Sequence, residues 1–557
     1  MPIPLSRTEL RQRSALWLLE IDYPGGILRI SDKNATVSSD DGDLVFQEGL
    51  QGFDLSILSD SEQIGVSFLV ESIDFVQGLS RGYTLERMGA ELSRWYEGTT
   101  FERRRIVATG VLKDVKFGAP GKMKNVTATL VQSASDLGQN ICRIVVEPNV
   151  FNEAVSVPGF VTVAVDSPSI GLYPPVVIGY PGLPLGAPAV PLLELSLTED
   201  TVGDSKYPRW VIAAHAIDAT KVRIYTDRDN DECNDATAGE FITQEDLTVG
   251  VVTTATYSTI PFADLQVNTG GKFFTGFLEN EGGMFNPYRD GVLRGLSDVV
   301  RYMLSEIGRK KVDHSRFESY ADDLNGAFKI DTFINDATSG DDWLENHITN
   351  GLFPIRIIEG PKGVYARRRN YRPEPSEAVT VLATSGNAGP INVSRQTGLQ
   401  PVGNEIINRV QVKYQPHMAG TTFSKSVEIS PGYYDFYADS PYANLFNQMT
   451  HICEVSANLF GERVGVYELR DVWDPTTATM VAVELLFRDA MPRYTILYQG
   501  GRDLEFLEIG DVVLINDDEL LLSERVATVE DVVFGKSFTQ VLVEIRSDGL
   551  AFDMATS

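Results

Sequence analysis

This sequence predicts a mainly β, multi-domain chain with minor α content, carrying two copies of one β module at its ends and β and α+β domains inserted between them. Three observations lead there. The 557 residues are 43% apolar and 10% aromatic, enough to bury several cores, and at about 150 residues per domain they make three or four units. Apolar and polar residues alternate through long stretches punctuated by Gly, Asn and Asp, the pattern of half-buried strands joined by turns. A short motif, Asp114-Val115-Lys116-Phe117-Gly118, is echoed near the other end by Asp531-Val532-Val533-Phe534-Gly535.

In chain order, alternation marks strands at Leu16 to Tyr23, Ile64 to Phe75 and Arg105 to Phe117. A short helix is expected at Thr84 to Tyr96, where Thr84 can cap it, Leu85, Met88, Leu92 and Trp95 recur at three- and four-residue spacing, and Gly98 ends it. From Pro158 to Pro191 prolines accumulate; because proline removes ladder donors and fixes φ, this stretch reads as an extended connector or covering arm. A compact β module follows, with strands at Trp210 to Ala214, Lys221 to Tyr225 and Val249 to Tyr257. The strongest helix is expected at Asp290 to Ile307, where Val292, Leu293, Leu296, Val299, Val300, Met303, Leu304 and Ile307 form one broad stripe closed by Gly308. Shorter helices are expected at Ser315 to Leu324 and Asp341 to Thr349, then strands at Pro354 to Ile358 and Gly363 to Arg367. From Asn404 onward the text is β again, with one helix at Thr477 to Arg488.

Each copy of the echoed motif is preceded by Val-Ala-Thr, at Val107 to Thr109 and Val526 to Thr528, and further upstream by an expected amphipathic helix. Each is followed by an alternating strand, Asn125 to Gln132 and Ser537 to Arg546. The shared order points to a duplicated module. The resulting division is 1–140 (N-terminal β module), 141–205 (Pro-rich connector), 206–270 (small β module), 271–394 (α+β middle domain) and 395–557 (C-terminal β module).

Charge and motif content exclude several functions. The 77 acidic against 48 basic residues leave a net charge of −29, the wrong sign for binding nucleic acid through its phosphates. No apolar run approaches the ~20 residues of a membrane span, and the start lacks the apolar core of a secretory signal, so a soluble cytosolic chain is expected. Cys142, Cys233 and Cys453 are too scattered for a disulfide framework or a zinc spacing. Gly78-Leu79-Ser80-Arg81-Gly82 fits the letter of a nucleophile elbow, but the text after it is not βαβ, and none of His215, His314, His347, His417 or His451 stands in a distinctive setting. Asp227 to Glu232 begins like a calcium loop, yet Glu232 and Ala238 occupy the places of the required glycine and bidentate acid, leaving an acidic turn. Carboxylate pairs such as Glu97 with Glu102, or Asp341 with Glu345, mean little among so many acids. Asn34, Asn125 and Asn392 head formal glycosylation sequons that carry no information without a secretory signal. Catalytic, cofactor and metal residues are therefore expected to be none. Two basic clusters oppose the overall sign, Arg103-Arg104-Arg105 and Arg367-Arg368-Arg369 with Arg356, Lys362 and Arg372 nearby; in so acidic a chain they are expected to pair with carboxylates across subunit contacts, the commonest alternative being a solvated strand face. The stretch Gly501 to Ser557 is the reverse, with 13 acids and 4 bases.

A resemblance then narrows the reading. Asn408-Arg409-Val410-Gln411-Val412-Lys413-Tyr414, the passage Met480 to Leu497, and Leu507-Glu508-Ile509-Gly510-Asp511-Val512-Val513-Leu514-Ile515 together resemble the hub or central tail-tip proteins of long-tailed bacteriophages and gene transfer agents. Val292 to Met303, Val312-Asp313-His314, Trp343-Leu344 and Gly363-Val364-Tyr365 are similar to the same family's middle region. The resemblance covers about half of the chain, mainly after residue 280, and lacks an extended C-terminal fibre region. It implies a fold with two tail-tube-like β-barrel modules at the chain ends, and a non-enzymatic structural protein of the virion, assembled in the bacterial host cytoplasm. It also implies a homotrimer that closes the tail tube and joins the tube or distal tail protein to the tape measure protein and the central spike or fibre protein, letting phage DNA pass without specific binding. Two further readings are a virion-associated cell-wall or polysaccharide hydrolase, and a receptor-binding adhesin using the Trp210 to Pro261 module.

Overall fold

The computed structural model describes residues 13–23, 26–54, 63–69, 85, 87–117, 125–131, 140–142, 146–148, 161–163, 172–182, 189–202, 205–217, 222–227, 241–247, 252–253, 258–261, 273–277, 282–360, 363–384, 391–403, 405–416, 422–435, 446–534 and 538–546. Strands dominate, with some helices between them. The N-terminal strands are β1 (Ala15–Tyr23), β2 (Gly26–Ser31), β3 (Ala35–Ser39), β4 (Gly42–Glu48), β5 (Leu50–Asp54), β6 (Gln63–Leu69), β7 (Gly89–Tyr96), β8 (Arg105–Phe117) and β9 (Asn125–Val131). They form one nine-stranded sheet in the order β3-β4-β2-β1-β7-β8-β9-β6-β5. Its two ends approach each other at Gly49, between β4 and β5: the Gly49 N–H donates to the Ser31 carbonyl at 2.9 Å, and the Gly49 carbonyl accepts from Leu69 N–H at 2.7 Å. A Cβ on Gly49 would lie 2.6 Å from the Leu69 carbonyl oxygen, so the crossing admits only glycine.

Residues 84–96 were expected as a helix, but 89–96 are strand β7, hydrogen-bonded to β1 on one side and β8 on the other. Ala90, Leu92, Ser93, Arg94, Trp95 and Tyr96 are all buried, so both faces of this strand are covered and no strand alternation shows in the sequence, leaving only the helical spacing to be read. The helix expected upstream of the first motif copy is therefore absent, and only the strands are duplicated.

Further on come helices α1 (Leu296–Tyr302) and α2 (His314–Asn325) and the hairpin β10 (Ile355–Gly360) and β11 (Gly363–Arg368). The chain enters a barrel with β12 (Ala378–Ala383) and β13 (Ile391–Arg395). It leaves for β14 (Arg409–Pro416), β15 (Phe423–Ser430), β16 (Tyr433–Asp435), α3 (Phe446–Phe460), β17 (Val464–Glu468) and α4 (Pro475–Asp489). It returns with β18 (Arg493–Gly500), β19 (Val512–Asp517), β20 (Leu522–Phe534) and β21 (Thr539–Arg546). The barrel runs β13-β12-β19-β20-β21-β18 and closes through β13 against β18. The segment 409–489 instead makes a four-stranded sheet, β16-β15-β14-β17, with α3 and α4, so the stretch 395–557 supplies two separate sheets.

Two large hydrophobic clusters stand out among the described residues. One joins the N-terminal sheet to the barrel, with Trp17, Leu19, Phe68, Leu92 and Leu112 in the same cluster as Ile496, Tyr498, Val513, Val529 and Val543. The other is built from α1, α2, the hairpin and the 409–489 unit. Its centre is α4, capped by Asp474, whose side chain accepts the Thr477 N–H, with a proline in the first turn. Val481, Ala482, Val483 and Leu486 of α4 are fully buried, the mark of a helix enclosed on all sides. The helix expected at Asp290 to Ile307 begins later: Gly291 has φ 97°, and Asn325 of α2 caps Leu296–Tyr302 by accepting the Ser297 N–H at 2.8 Å. A π-helical turn, Met303–Ile307, completes it. The segment expected at Asp341 to Thr349 likewise becomes a short α-helix, Gly340–Trp343, and a π turn, Leu344–Ile348. Helix α3 was not anticipated, although Met449, Cys453 and Ser456 recur at helical spacing on its buried side and Gly461 follows it at φ 76°. Within the Pro-rich stretch, Val176–Ile178 pairs with Thr332–Ile334, so part of the expected connector is a buried strand of this second body.

Gly49→Ala is expected to destabilise the N-terminal sheet by about 1–3 kcal/mol through forced backbone displacement. A lowered thermal midpoint with the barrel's hydrogen-exchange protection unchanged is the result to look for.

Candidate functional site

The duplicated motif marks the same structural feature twice. β7-β8-β9-β6 and β19-β20-β21-β18 are both all-antiparallel, and in each the strand that comes first in the chain pairs outside the last. The motif ends the long strand of each set, and β8 and β20 are both 13 residues long. Between Leu112↔Leu130 and Phe117↔Val126 the long strand carries one residue more than its partner. The long strand of the second set also carries one extra residue, Glu530, between Val529↔Val543 and Asp531↔Leu542, just ahead of the motif. A one-residue bulge bends and twists a strand locally. Asp114 accommodates it with φ 52°, a conformation aspartate tolerates better than most side chains. Asp531, already in register with Leu542, accepts the Val532 N–H at 2.8 Å through its own carboxylate.

These two strand sets meet the second body at the connection between β18 and β19, residues 501–511. From the N-terminal sheet, the Arg94 guanidinium, only 2% exposed, lies 3.7 Å from Glu505 and 4.6 Å over the Trp17 ring. Burial pushes the pKa of Arg94 down while the charge of Glu505 opposes it. The Tyr96 hydroxyl donates to the other Glu505 oxygen, and burial and that neighbouring charge raise the phenol well above its ordinary value. Arg105 donates to the Leu507 carbonyl at 3.3 Å and stacks 4.6 Å over Phe534, the aromatic residue of the second motif copy.

From the second body, Arg316 reaches Glu508 at 2.6 Å, and Arg367 reaches the Ile509 carbonyl at 2.8 Å and Asp511 at 3.2 Å. Burial raises the pKa of Asp511, against the Glu508 N–H and Arg367, which lower it. Gly510, at φ 87°, leaves room for the Arg367 side chain, which a Cβ would approach within 3.0 Å. Arg356 and Arg369 both reach Glu530 on the barrel wall at 2.9 Å, and Arg368 turns the other way to the buried Glu484 of α4 at 2.5 Å. Arg104 pairs with Glu91 at 2.6 Å and lies over Phe101. The basic clusters expected to pair across subunit contacts are thus corrected in this respect: Arg104, Arg356, Arg367, Arg368 and Arg369 pair with carboxylates of their own chain, and the fold brings the partners of the last four from over a hundred residues away.

The other sequence candidates are scattered. Gly78 to Gly82 and residues 228–232 lie outside the described residues, as do His417 and Cys233. Glu102 accepts from the Ser39 hydroxyl at 2.6 Å and from the Asp40 N–H, which hold its carboxyl down at about 2; Glu97 offers only its backbone carbonyl, to Arg13. Glu345 is exposed on its π turn. His215 is buried between the Val177 N–H and the Ala216 carbonyl, its pKa lowered to about 4 by burial, and His314 receives Arg301. His451 is exposed on α3. Cys142 and Cys453 are buried free thiols, both pushed up to about 12 by burial. Among the described residues no group of three or more His, Cys, Asp or Glu could hold a metal ion, and no helix is long and apolar enough to cross a membrane. His347 is the exception to the ordinary settings: its Nδ1 lies 2.5 Å from the buried Asp471 carboxylate, and its ring stacks on Trp343.

No protein-family model and no curated protein matches the chain. Among solved structures it is similar to the tail protein from Neisseria meningitidis MC58, with 10% identity, TM-score 0.34, and coverage of 96% of this chain and 97% of that one. It is similar to a chain from the virion of a native gene transfer agent particle, with 15% identity, TM-score 0.35, and coverage of 68% and 85%. It is also similar to the 43 kDa tail protein of prophage MuSo2 from Shewanella oneidensis, with 7% identity, TM-score 0.35, and coverage of 95% and 98%. At such identities and scores, function has to be argued from the chain's own residues.

Two outcomes follow from this geometry. Glu505→Ala strands a buried guanidinium and is expected to cost ~3–5 kcal/mol in chemical denaturation, while Arg94→Met combined with Glu505→Leu recovers most of the loss. The pKa of His347 is raised because the hydrogen bond and charge of Asp471 outweigh the burial that comes first and lowers it. The contribution of the pair is therefore whole below the unfolded histidine value of about 6.5 and fades as pH rises through the higher folded value. The thermal-midpoint gap between wild type and His347→Gln should be wide at about pH 6 and narrow by about pH 9.

Proposed function

We propose that this chain is a structural hub of a phage or gene-transfer-agent tail: a homotrimer that closes the tail tube and joins the tube or distal tail ring to the tape measure and the central spike or fibre. The observation that carries this reading is the repeated strand set with a one-residue bulge in each long strand, because a subunit with two equivalent β modules lets three copies present six similar units to a sixfold tube. In this reading the N-terminal sheet, drawn round on itself at Gly49, is the counterpart of the closed barrel, and both stand in the ring. The second body braces them from outside through the arginines that grip residues 508–511 and Glu530. A net charge of −29 suits a bore through which DNA passes without sticking. The role is assembly and passage, without turnover, and the place of action is the tail tip of the virion.

Electron microscopy of the chain in purified particles tests this. Threefold density at the tail tip, with six similar barrel-sized features at one level, is the expected result. A single copy or a twofold arrangement would overturn it. So would clearing of a peptidoglycan gel by the purified chain that is lost on changing one carboxylate.

A further inference from the structure

The His347–Asp471 pair is one wall of a cavity of about 230 Å³ in the second body, which the assembly reading leaves without a role. One side of the cavity is the π turn and the loop after it, with Asn346, His347 and Leu352; the other is the connection from β17 to α4, with Glu468, Arg470 and Asp471. Asp471 is 5% exposed, and its backbone carbonyl accepts the Asp331 N–H at 2.8 Å, so the carboxylate has a fixed position. It fixes the imidazole in turn: Nδ1 is taken at 2.5 Å, and the ring lies 5.4 Å from Trp343 at an interplanar angle of 10°. An imidazole whose Nδ1–H is taken by a carboxylate and whose face is stacked has a preoriented Nε2, which accepts on the neutral ring and donates once the ring is protonated, and the side chain, 30% exposed, lines the cavity.

The charges around the cavity are asymmetric. The positive form of His347 is matched by Asp471, but the exposed Arg470 lies on the opposite rim, close enough for its charge to act on His347. Glu468 is held from outside by Lys413 at 3.3 Å and remains 44% exposed. Asn350 is occupied with the turn, donating to the Asn346 carbonyl at 2.5 Å and accepting the Leu352 N–H at 3.0 Å. The side-chain amide of Asn346 is left at the rim. Arg470, His347 in its protonated form, the Asn346 amide and the Glu468 carboxylate therefore line one space, too small for a drug-sized ligand.

We propose that this cavity binds a small carboxylate-bearing polyhydroxy molecule of the sugar-acid class, its carboxylate held by His347 Nε2 and the Arg470 guanidinium and its hydroxyls by Asn346 and Glu468. Bidentate recognition of a carboxylate by arginine, completed by a preoriented imidazole, is the chemistry such a ligand requires. The inference does not depend on the tail-hub reading and survives its failure.

Isothermal titration of the full chain with D-glucuronate at about pH 6 tests it, with D-glucose and inorganic phosphate as the comparison arms. The expected result is a Kd of about 1 mM for glucuronate, no measurable binding of glucose, and phosphate weaker than glucuronate. Arg470→Ala and His347→Gln are each expected to weaken glucuronate at least about tenfold. Arg470 is exposed, so its variant decides the matter if His347→Gln does not fold. Absence of binding at about 20 mM glucuronate overturns the proposal. So does phosphate binding as tightly as glucuronate, which would make the site a generic anion site, or affinity unchanged in Arg470→Ala.

Discussion

A guanidinium that is 2% exposed stays in a protein interior only where a carboxylate meets it, and for Arg94 that carboxylate is Glu505. The pair sits where the N-terminal sheet joins the barrel, and the surrounding contacts depend on its position. With Glu505 held by Arg94 and Tyr96, the connection 501–511 has one path, which places Leu507 under Arg105, Glu508 before Arg316, and Ile509 and Asp511 before Arg367. Apolar packing supplies most of the driving force for folding, but it is indifferent to small slips. The charged contacts give the junction its registration, since a displaced sheet would leave a buried charge alone.

The same logic separates the two bodies. Each has its own hydrophobic core, and the traffic between them includes a set of arginines from α2 and the hairpin β10–β11 reaching carboxylates and carbonyls of the barrel. Arginine suits this place because a planar fork with several donors satisfies two acceptors at once, as Arg367 does with Ile509 and Asp511. Glu530 is met from two sides by Arg356 and Arg369. A brace built in this way fixes orientation without merging the cores.

The two strand sets are alike in geometry more than in sequence. Little sequence beyond the motif is shared, yet strand order, strand direction, the length of the long strand and the single inserted residue agree. The flanks differ: β1 runs antiparallel to β7, whereas β12 runs parallel to β19, so the way each set is covered has changed while its centre has not. A bulge alters twist and strand direction together, and its loss would misplace every residue beyond it.

Much of this was legible in the residues. Alternation identified the strands β8 and β21, the helical interlude at Thr477 to Arg488 matched α4, and the repeated Asp-Val-x-Phe-Gly fell at the end of a long strand both times, because local periodicity and turn chemistry act over a few residues and are written there. Strand β7 was not legible, since a strand covered on both faces carries no alternation and its residues happen to match a helical spacing. Nor was the destination of the arginines: that Arg94 would meet Glu505, or Arg369 meet Glu530, depends on how sheets far apart in the chain come together. His347 looked ordinary until the fold set Asp471 and Trp343 beside it. Sequence by itself determined which segments extend and which coil; tertiary structure alone decided which charges meet, because electrostatic partnership depends on distance through space and the chain records only distance along itself.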